Sequence, residues 1–198
     1  MRLIGRVLLV AAIIGGGQVA PAFAQPETTR TGTTSVATVQ SRVGFERLTD
    51  LVVRRINVGD AVAASKYFSG KPVDDPVREQ QILVSVRASA VKLGIDPDET
   101  AAFFQAQIDA SKVVQRGLLA RWAQHPSSAP TTGPDLDAVR KQLDQLTADL
   151  LAELVTVDRL RDSGVRCGIS LLLATIPAGV HLDRLHRQAL KVATIGVC

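Results

Sequence analysis

Apolar residues recur at close to helical spacing along most of the chain. Val43, Leu48, Leu51, Val52, Ile56, Val58 and Val62 form one such stripe, the signature of a helix that buries one face. The stripe predicts a first helix from near Ser41 towards Tyr67. Ser69-Gly70-Lys71-Pro72 follows and ends it, because Gly and Pro beyond the last turn stop a helix. Gly59 inside this segment costs about 1 kcal/mol relative to Ala. A second helix opens at Asp75-Pro76, with Asp as N-cap and Pro at the first helical position. It runs through Ile82, Leu83, Val86 and Val91 and stops at Gly94. Asp96-Pro97-Asp98-Glu99 resembles a capping box and starts a third helix, which reaches about Gln124. Residues 125–134, rich in Pro, Ser, Thr and Gly, read as a loop. Leu136, Val139, Leu143, Leu146, Leu150, Leu154 and Val157 mark a fourth helix from near Asp135 to about Asp162, broken by Gly164. Two shorter helices are expected at about 166–175 and 178–194, split by Pro177. No strand-type alternation and no internal repeat stands out. The expectation is an all-α bundle of about six helices, three long ones enclosing a site.

The N-terminus has a different pattern. Arg2 and Arg6 precede an apolar stretch from Val7 to Gly17, and Ala22-Phe23-Ala24 is a small-x-small cleavage signal. This is the layout of a secretory signal peptide, and the stretch is short for a membrane span. Residues 1–24 are therefore read as a signal peptide and 25–40, rich in Thr and Ser, as a disordered tether. Residues 41–198 form one domain, long enough to bury a core. Its composition, 46% hydrophobic but only 4% aromatic, suits packed helices better than a β-sandwich.

Charge narrows the function classes. The formal net charge is +4, and loss of Arg2 and Arg6 with the signal peptide leaves +2. That is too small for a general nucleic-acid binder, and no basic stripe marks a membrane-surface helix. The expectation is no nucleic-acid partner and, after signal cleavage, no membrane. The two cysteines, Cys167 and Cys198, would meet an oxidising compartment after export, where a disulfide is the natural state. It would close a loop of about 30 residues and stabilise by roughly 3–4 kcal/mol on the entropic model. Two free thiols are the alternative; no His/Cys spacing matches a metal site.

Polar residues on separate helices carry the candidate chemistry. Arg55 and Lys66 are eleven residues apart, about three turns, so they share a face of the first helix. Arg78 and Glu79 follow the Asp75 helix start. Ser111 and Gln115, four apart, share a face of the third helix, and Arg140 lies in the second turn of the fourth. Each residue alone reads more readily as a solvated surface group. Trp122 and His125 read as packing or capping groups and Asp135 as a helix cap. His181 and His186 read as a solvated helix face beside Arg184 and Arg187.

Taken in order, the polar residues resemble the AroQ-type chorismate mutases. The resemblance rests on Arg55, Lys66, Asp75-Pro76-Val77-Arg78-Glu79, and Ser111 with Gln115. The later Pro134-Asp135-Leu136-x-x-x-Arg140 segment, the signal peptide and the two cysteines are similar to the secreted subclass found in actinobacteria. The resemblance spans about residues 41–198. Some secreted relatives have an apolar residue at the place of Glu79, Gln at Ile82, and Thr and Glu at Ser111 and Gln115. At those places this sequence is closer to the cytoplasmic arrangement.

The resemblance implies an isomerase that rearranges chorismate to prephenate within the shikimate pathway, with no cofactor. It implies that Arg55 and Arg140 clamp substrate carboxylates, with Arg78 in the same cluster. Ser111 would donate to the ring carboxylate, and Glu79 and the backbone near Asp75 would receive the substrate hydroxyl. Lys66 and Gln115 would face the ether oxygen. A homodimer with each site complete within one subunit is also implied. The competing reading is a non-catalytic exported helical module that binds a ligand or a protein.

Overall fold

The computed structural model describes residues 44–198; the expected signal peptide, the tether and residues 41–43 lie outside them. Among the described residues there are six α-helices and no strand: α1 (Glu46–Ser69), α2 (Pro76–Leu93), α3 (Pro97–Gln124), α4 (Leu136–Arg161), α5 (Val165–Gly179) and α6 (Arg184–Ala193). A single 3-10 turn, Pro126–Ser128, sits in the loop after α3. None of these helices is long and apolar enough to cross a membrane.

Local chemistry sets the helix ends. Asp75, Asp96, Asp135 and Asp183 each accept backbone N–H groups at the start of α2, α3, α4 and α6, pairing donors that a helix start leaves orphaned. Gly70 and Gly94 close α1 and α2 at positive φ, 66° and 75°, where a side chain would be strained. One boundary differs from expectation. Pro177 does not split the C-terminal helices but lies in the last turns of α5. A proline there forfeits a single helical hydrogen bond. The break falls at 180–183, where Asp183 caps α6 through the N–H of His186.

The core lies where α3 packs against α1, α2 and α6, and where α1 packs against α4. Phe45, Leu48, Leu51, Ile56, Phe103, Phe104, Leu146, Leu150 and Leu154 are fully buried within it. Gly59 has a packing role that its helix propensity conceals. A methyl group on it would stand 3.2 Å from Val114 Cβ, tighter than normal packing accepts. Its bare backbone lets α1 approach α3, which brings the polar face of one helix to that of the other.

Polar contacts fasten the C-terminal segment. Cys167 and Cys198 form a disulfide across 31 residues. The buried Arg161 donates from Nε to the Val197 carbonyl (2.9 Å), and Gln107 donates to the Ala193 carbonyl (2.7 Å). His186 is buried, not solvated as the sequence suggested. Its Nδ1 contacts Asp183 (2.8 Å) and its Nε2 contacts Asp60 of α1 (2.9 Å). Burial disfavours the imidazolium, but the two carboxylates outweigh it and raise the pKa. A partner 126 residues away in sequence leaves no local signal.

Candidate active site

A cavity of about 330 Å³ opens between α1, α2, α3, α4 and the loop joining α1 to α2. Four helices supply its walls, so the shorter α2 joins the three long ones. Arg55, Lys66, Arg78 and Lys112 supply four cations and Asp75, Glu79 and Asp144 three carboxylates, with Ser111, Gln115 and Thr147 as neutral polar groups. The remaining wall includes Val62, Ile82, Val86, Ile108 and Leu143, an apolar surface with convergent polar groups.

Arg55 lies at the middle of α1 with only 8% of its surface exposed. Its Nη1 donates to Thr147 Oγ1 (3.2 Å) and the Leu143 carbonyl (3.4 Å), both on α4. Those bonds fix the guanidinium plane and leave the Nε/Nη2 edge, the edge that pairs with a carboxylate through two parallel bonds. Burial lowers the Arg55 pKa to about 10, with Asp144 acting in the opposite sense. The group stays cationic at neutral pH but is poorly hydrated, a state that favours binding an anion.

Lys66, in the last turn of α1, donates from Nζ to the Pro72 carbonyl, which ties the α1–α2 loop to the cavity. Asp75 caps α2 by accepting the Arg78 N–H (3.0 Å), and Glu79 Oε1 accepts the Asp75 N–H (3.2 Å). This reciprocal pair works as a capping box does, with the carboxylate one residue later at the fourth helical position, and it holds Arg78 and Glu79 in the first turn, facing the cavity. Gln115 is buried, and its Nε2 lies 3.0 Å from Ser111 Oγ. Its Oε1 has no partner among the described residues. The amide can also turn so that Ser111 O–H donates to Oε1, and Nε2 then takes the unpaired position as a donor.

The cavity thus brings together Arg55, Lys66, Asp75, Arg78, Glu79, Ser111 and Gln115. Arg140 is not among the lining residues. Its side chain is 65% exposed and pairs with Asp137 at 2.9 Å. It sits three, four and seven residues before Leu143, Asp144 and Thr147, which do line the cavity, so it occupies the same α4 face one turn further out.

Nothing in the pattern of residues singled out Lys112, Thr147 or Asp144. Lys112 points into the cavity beside Ser111 and is bonded to Glu79 Oε2 at 2.6 Å, with Asp74 at 3.5 Å. Burial opposes its charge, yet Glu79 and Asp74 outweigh burial and raise its pKa. Asp74 also takes Arg116 at 2.7 Å, a bond that lowers its own pKa. Its spacing of three from Asp109 and four from Arg116 carried no hint that Glu79 would face Lys112.

The profile of the family described as chorismate mutase type II matches residues 46–116, from the start of α1 well into α3. The secreted chorismate mutase of Mycolicibacterium smegmatis is 34% identical over 152 residues, covering 76% of this chain and 84% of that relative. The chain belongs to the chorismate mutase type II family. The secreted chorismate mutase of Mycobacterium tuberculosis is 33% identical over 76% of each chain. The crystal structure of chorismate mutase from Burkholderia thailandensis superposes with a TM-score of 0.73 at 34% identity, over 78% of this chain and 98% of that one. The similarity to chorismate mutases therefore extends past the profile into the C-terminal helices. It does not favour a non-catalytic binding module.

Proposed function

We propose that this cavity binds chorismate and rearranges it to prephenate, in a protein exported by residues 1–24. The observation that carries the reading is the convergence of cations and a buried amide from separate helices on one cavity with apolar walls. Chorismate carries two carboxylates, and the reaction is an intramolecular Claisen rearrangement. One C–O bond breaks and one C–C bond forms, with no proton transferred and no nucleophile consumed. Catalysis then consists of holding a compact chair-like conformer and stabilising charge on the ether oxygen.

In this reading the free edge of Arg55 takes one carboxylate, and Arg78 and Arg140 complete the cationic ring. Lys66 and Gln115 donate to the ether oxygen, Ser111 to the ring carboxylate, and Glu79 with the Asp75 backbone receives the hydroxyl. Arg140 would reach the cavity by leaving Asp137, an exposed pair that holds it weakly. Purified mature protein should consume chorismate, followed by its ultraviolet absorbance. Absence of turnover by a folded helical protein would reject the reading. Arg140→Ala should lower kcat/KM roughly 10- to 100-fold, the worth of one charge-assisted contact; near-normal turnover would remove Arg140 from the site.

The homodimer implied by the resemblance has a candidate face. Val165, Ile169, Leu172, Leu173 and Ile176 lie exposed along α5, with Val180 just beyond its end, at spacings that place them on one side of a helix. Two copies packed through this stripe would remove it from water. Ile169→Lys combined with Leu173→Lys should convert a dimer to a monomer in sedimentation; an unchanged dimer would place the interface elsewhere. The relatives named above as secreted, together with the signal-like residues 1–24, support export of this chain.

A further inference from the structure

We propose that Lys112 is a positioning residue that sets the selectivity of the site for a hydroxyl-bearing substrate by holding Glu79. The proposal rests on the chorismate reading, in which Glu79 accepts the substrate hydroxyl.

A carboxylate in a cavity meant for a dianion is a liability unless its charge is offset. Glu79 is the most enclosed of the three cavity carboxylates, its side chain 18% exposed, and Lys112 meets it at 2.6 Å with 14% exposure. An ion pair so shielded is far less screened than a surface pair. Lys112 cannot serve as another clamp for substrate carboxylates, because its ammonium is already surrounded by Glu79, Asp74 and, at 3.9 Å, Asp109. Glu79 takes its hydrogen bond at 2.6 Å, and Asp74 at 3.5 Å and Asp109 at 3.9 Å stand by as further counter-charges. What it supplies is orientation.

The orientation is defined from both sides. Glu79 Oε1 takes the Asp75 N–H of its own helix start, and Oε2 takes Lys112 from α3. Each carboxylate oxygen can accept a second hydrogen bond. A clamped Glu79 therefore presents fixed lone pairs to a hydroxyl, without having to be ordered when substrate arrives. Lys112 follows Ser111 directly and precedes Gln115 by three residues on the same helix. A shift of α3 would accordingly move hydroxyl recognition together with the donors to the ring carboxylate and the ether oxygen.

The test compares two inhibitors, a bicyclic dicarboxylate mimic of the transition state with the hydroxyl and its deoxy counterpart, on the full-length mature protein. The unmodified protein should bind the hydroxylated compound roughly 10- to 100-fold more tightly, the worth of a hydrogen bond to a charged acceptor. Lys112→Met should reduce that ratio to below threefold; both dianions will bind more weakly, because the charge of Glu79 is no longer offset, so the ratio and not either affinity is the readout. Lys112→Arg, which keeps a cation opposite Glu79, should retain more of the ratio. Glu79→Gln should also abolish it, and the double variant should lose no more than either single one, as expected for residues acting as a unit. Lys112→Ala gives the same comparison should the Met variant fail to fold. A Lys112→Met protein with reduced melting temperature but an intact ratio would overturn the proposal, leaving Lys112 as a strap between α2 and α3. Full discrimination in Glu79→Gln would overturn it as well. Chorismate turnover by the unmodified protein is measured on the same preparation. If turnover is absent the chorismate reading fails, whereas turnover with an intact ratio in Lys112→Met sinks only the role of the lysine.

Discussion

Replacing Arg55 by Met will lower kcat/KM roughly 10²–10³-fold while leaving the melting temperature unchanged or higher. The two effects have one cause. Arg55 is buried with its pKa lowered to about 10, so the folded state disfavours the charged form by about 3 kcal/mol relative to a hydrated guanidinium. Its bonds to Thr147 and the Leu143 carbonyl offset part of that cost. Thr147 keeps a partner without it, since Thr147 Oγ1 also donates to the Leu143 carbonyl at 2.8 Å. An apolar side chain of similar length removes the buried charge, a change that is often neutral or stabilising. The function lost is the carboxylate-binding edge. Arg55→Lys should recover little activity, because an ammonium is a point donor and cannot present two parallel N–H groups. Thermal melting and steady-state kinetics on the same preparations decide the matter. A marked loss of stability in Arg55→Met would show a structural arginine, and near-normal kinetics would exclude it from the site.

The second large effect is expected at Gln115. An amide donates a hydrogen bond at any ordinary pH, whereas a carboxyl donates only when protonated. The unmodified enzyme should therefore have a rate nearly flat from mildly acidic to mildly alkaline pH. Gln115→Glu should lose roughly 10²–10³-fold of its rate at neutral pH, the worth of one donor to a developing negative charge. It should recover as pH falls and the carboxyl gains its proton. With the amide turned so that Ser111 O–H donates to Oε1, the Nε2 donor of Gln115 takes the buried position that has no partner among the described residues, which gives this prediction a structural footing. A polar atom left without a partner inside the protein is costly, and such atoms concentrate where a ligand completes the bonding. A pH profile of Gln115→Glu that overlays that of the unmodified enzyme would reject Gln115 as the ether-oxygen donor. So would a steep loss of the unmodified rate above pH 6.

How far the site could be read from sequence depended on how local each contact is. Asp75 was legible as a helix cap and Ser111 and Gln115, four apart, as sharing a face, but it took their order along the chain, matched to a family, to mark them with Glu79 as one site. Arg55 and Lys66 share a face by the same helical periodicity. Lys112 was missed because its partner Glu79 lies 33 residues away, on a helix whose rotation no spacing rule supplies. Arg140 was placed in the second turn of the fourth helix, and the structure puts it on the α4 face of Leu143, Asp144 and Thr147 but outside the cavity lining. Whether its side chain turns inward or pairs with Asp137 is a matter of rotamers and solvent, to which periodicity is blind. His186 was misread for a related reason, since its burial comes from Asp60 on α1.

Residue order accounts for the first four helices, for the aspartate caps of α2, α3 and α4, and for the order in which charged groups appear along them. These follow from interactions within a few residues, where the geometry of a helix turn is fixed. Which of those charges face one another was settled by the packing of the helices. That outcome depends on how closely helices approach, as at Gly59 against Val114. It depends equally on which long side chains lose their water. Arg55 became a poorly hydrated cation and Lys112 the keeper of Glu79 only when α1, α2, α3 and α4 closed around a common cavity.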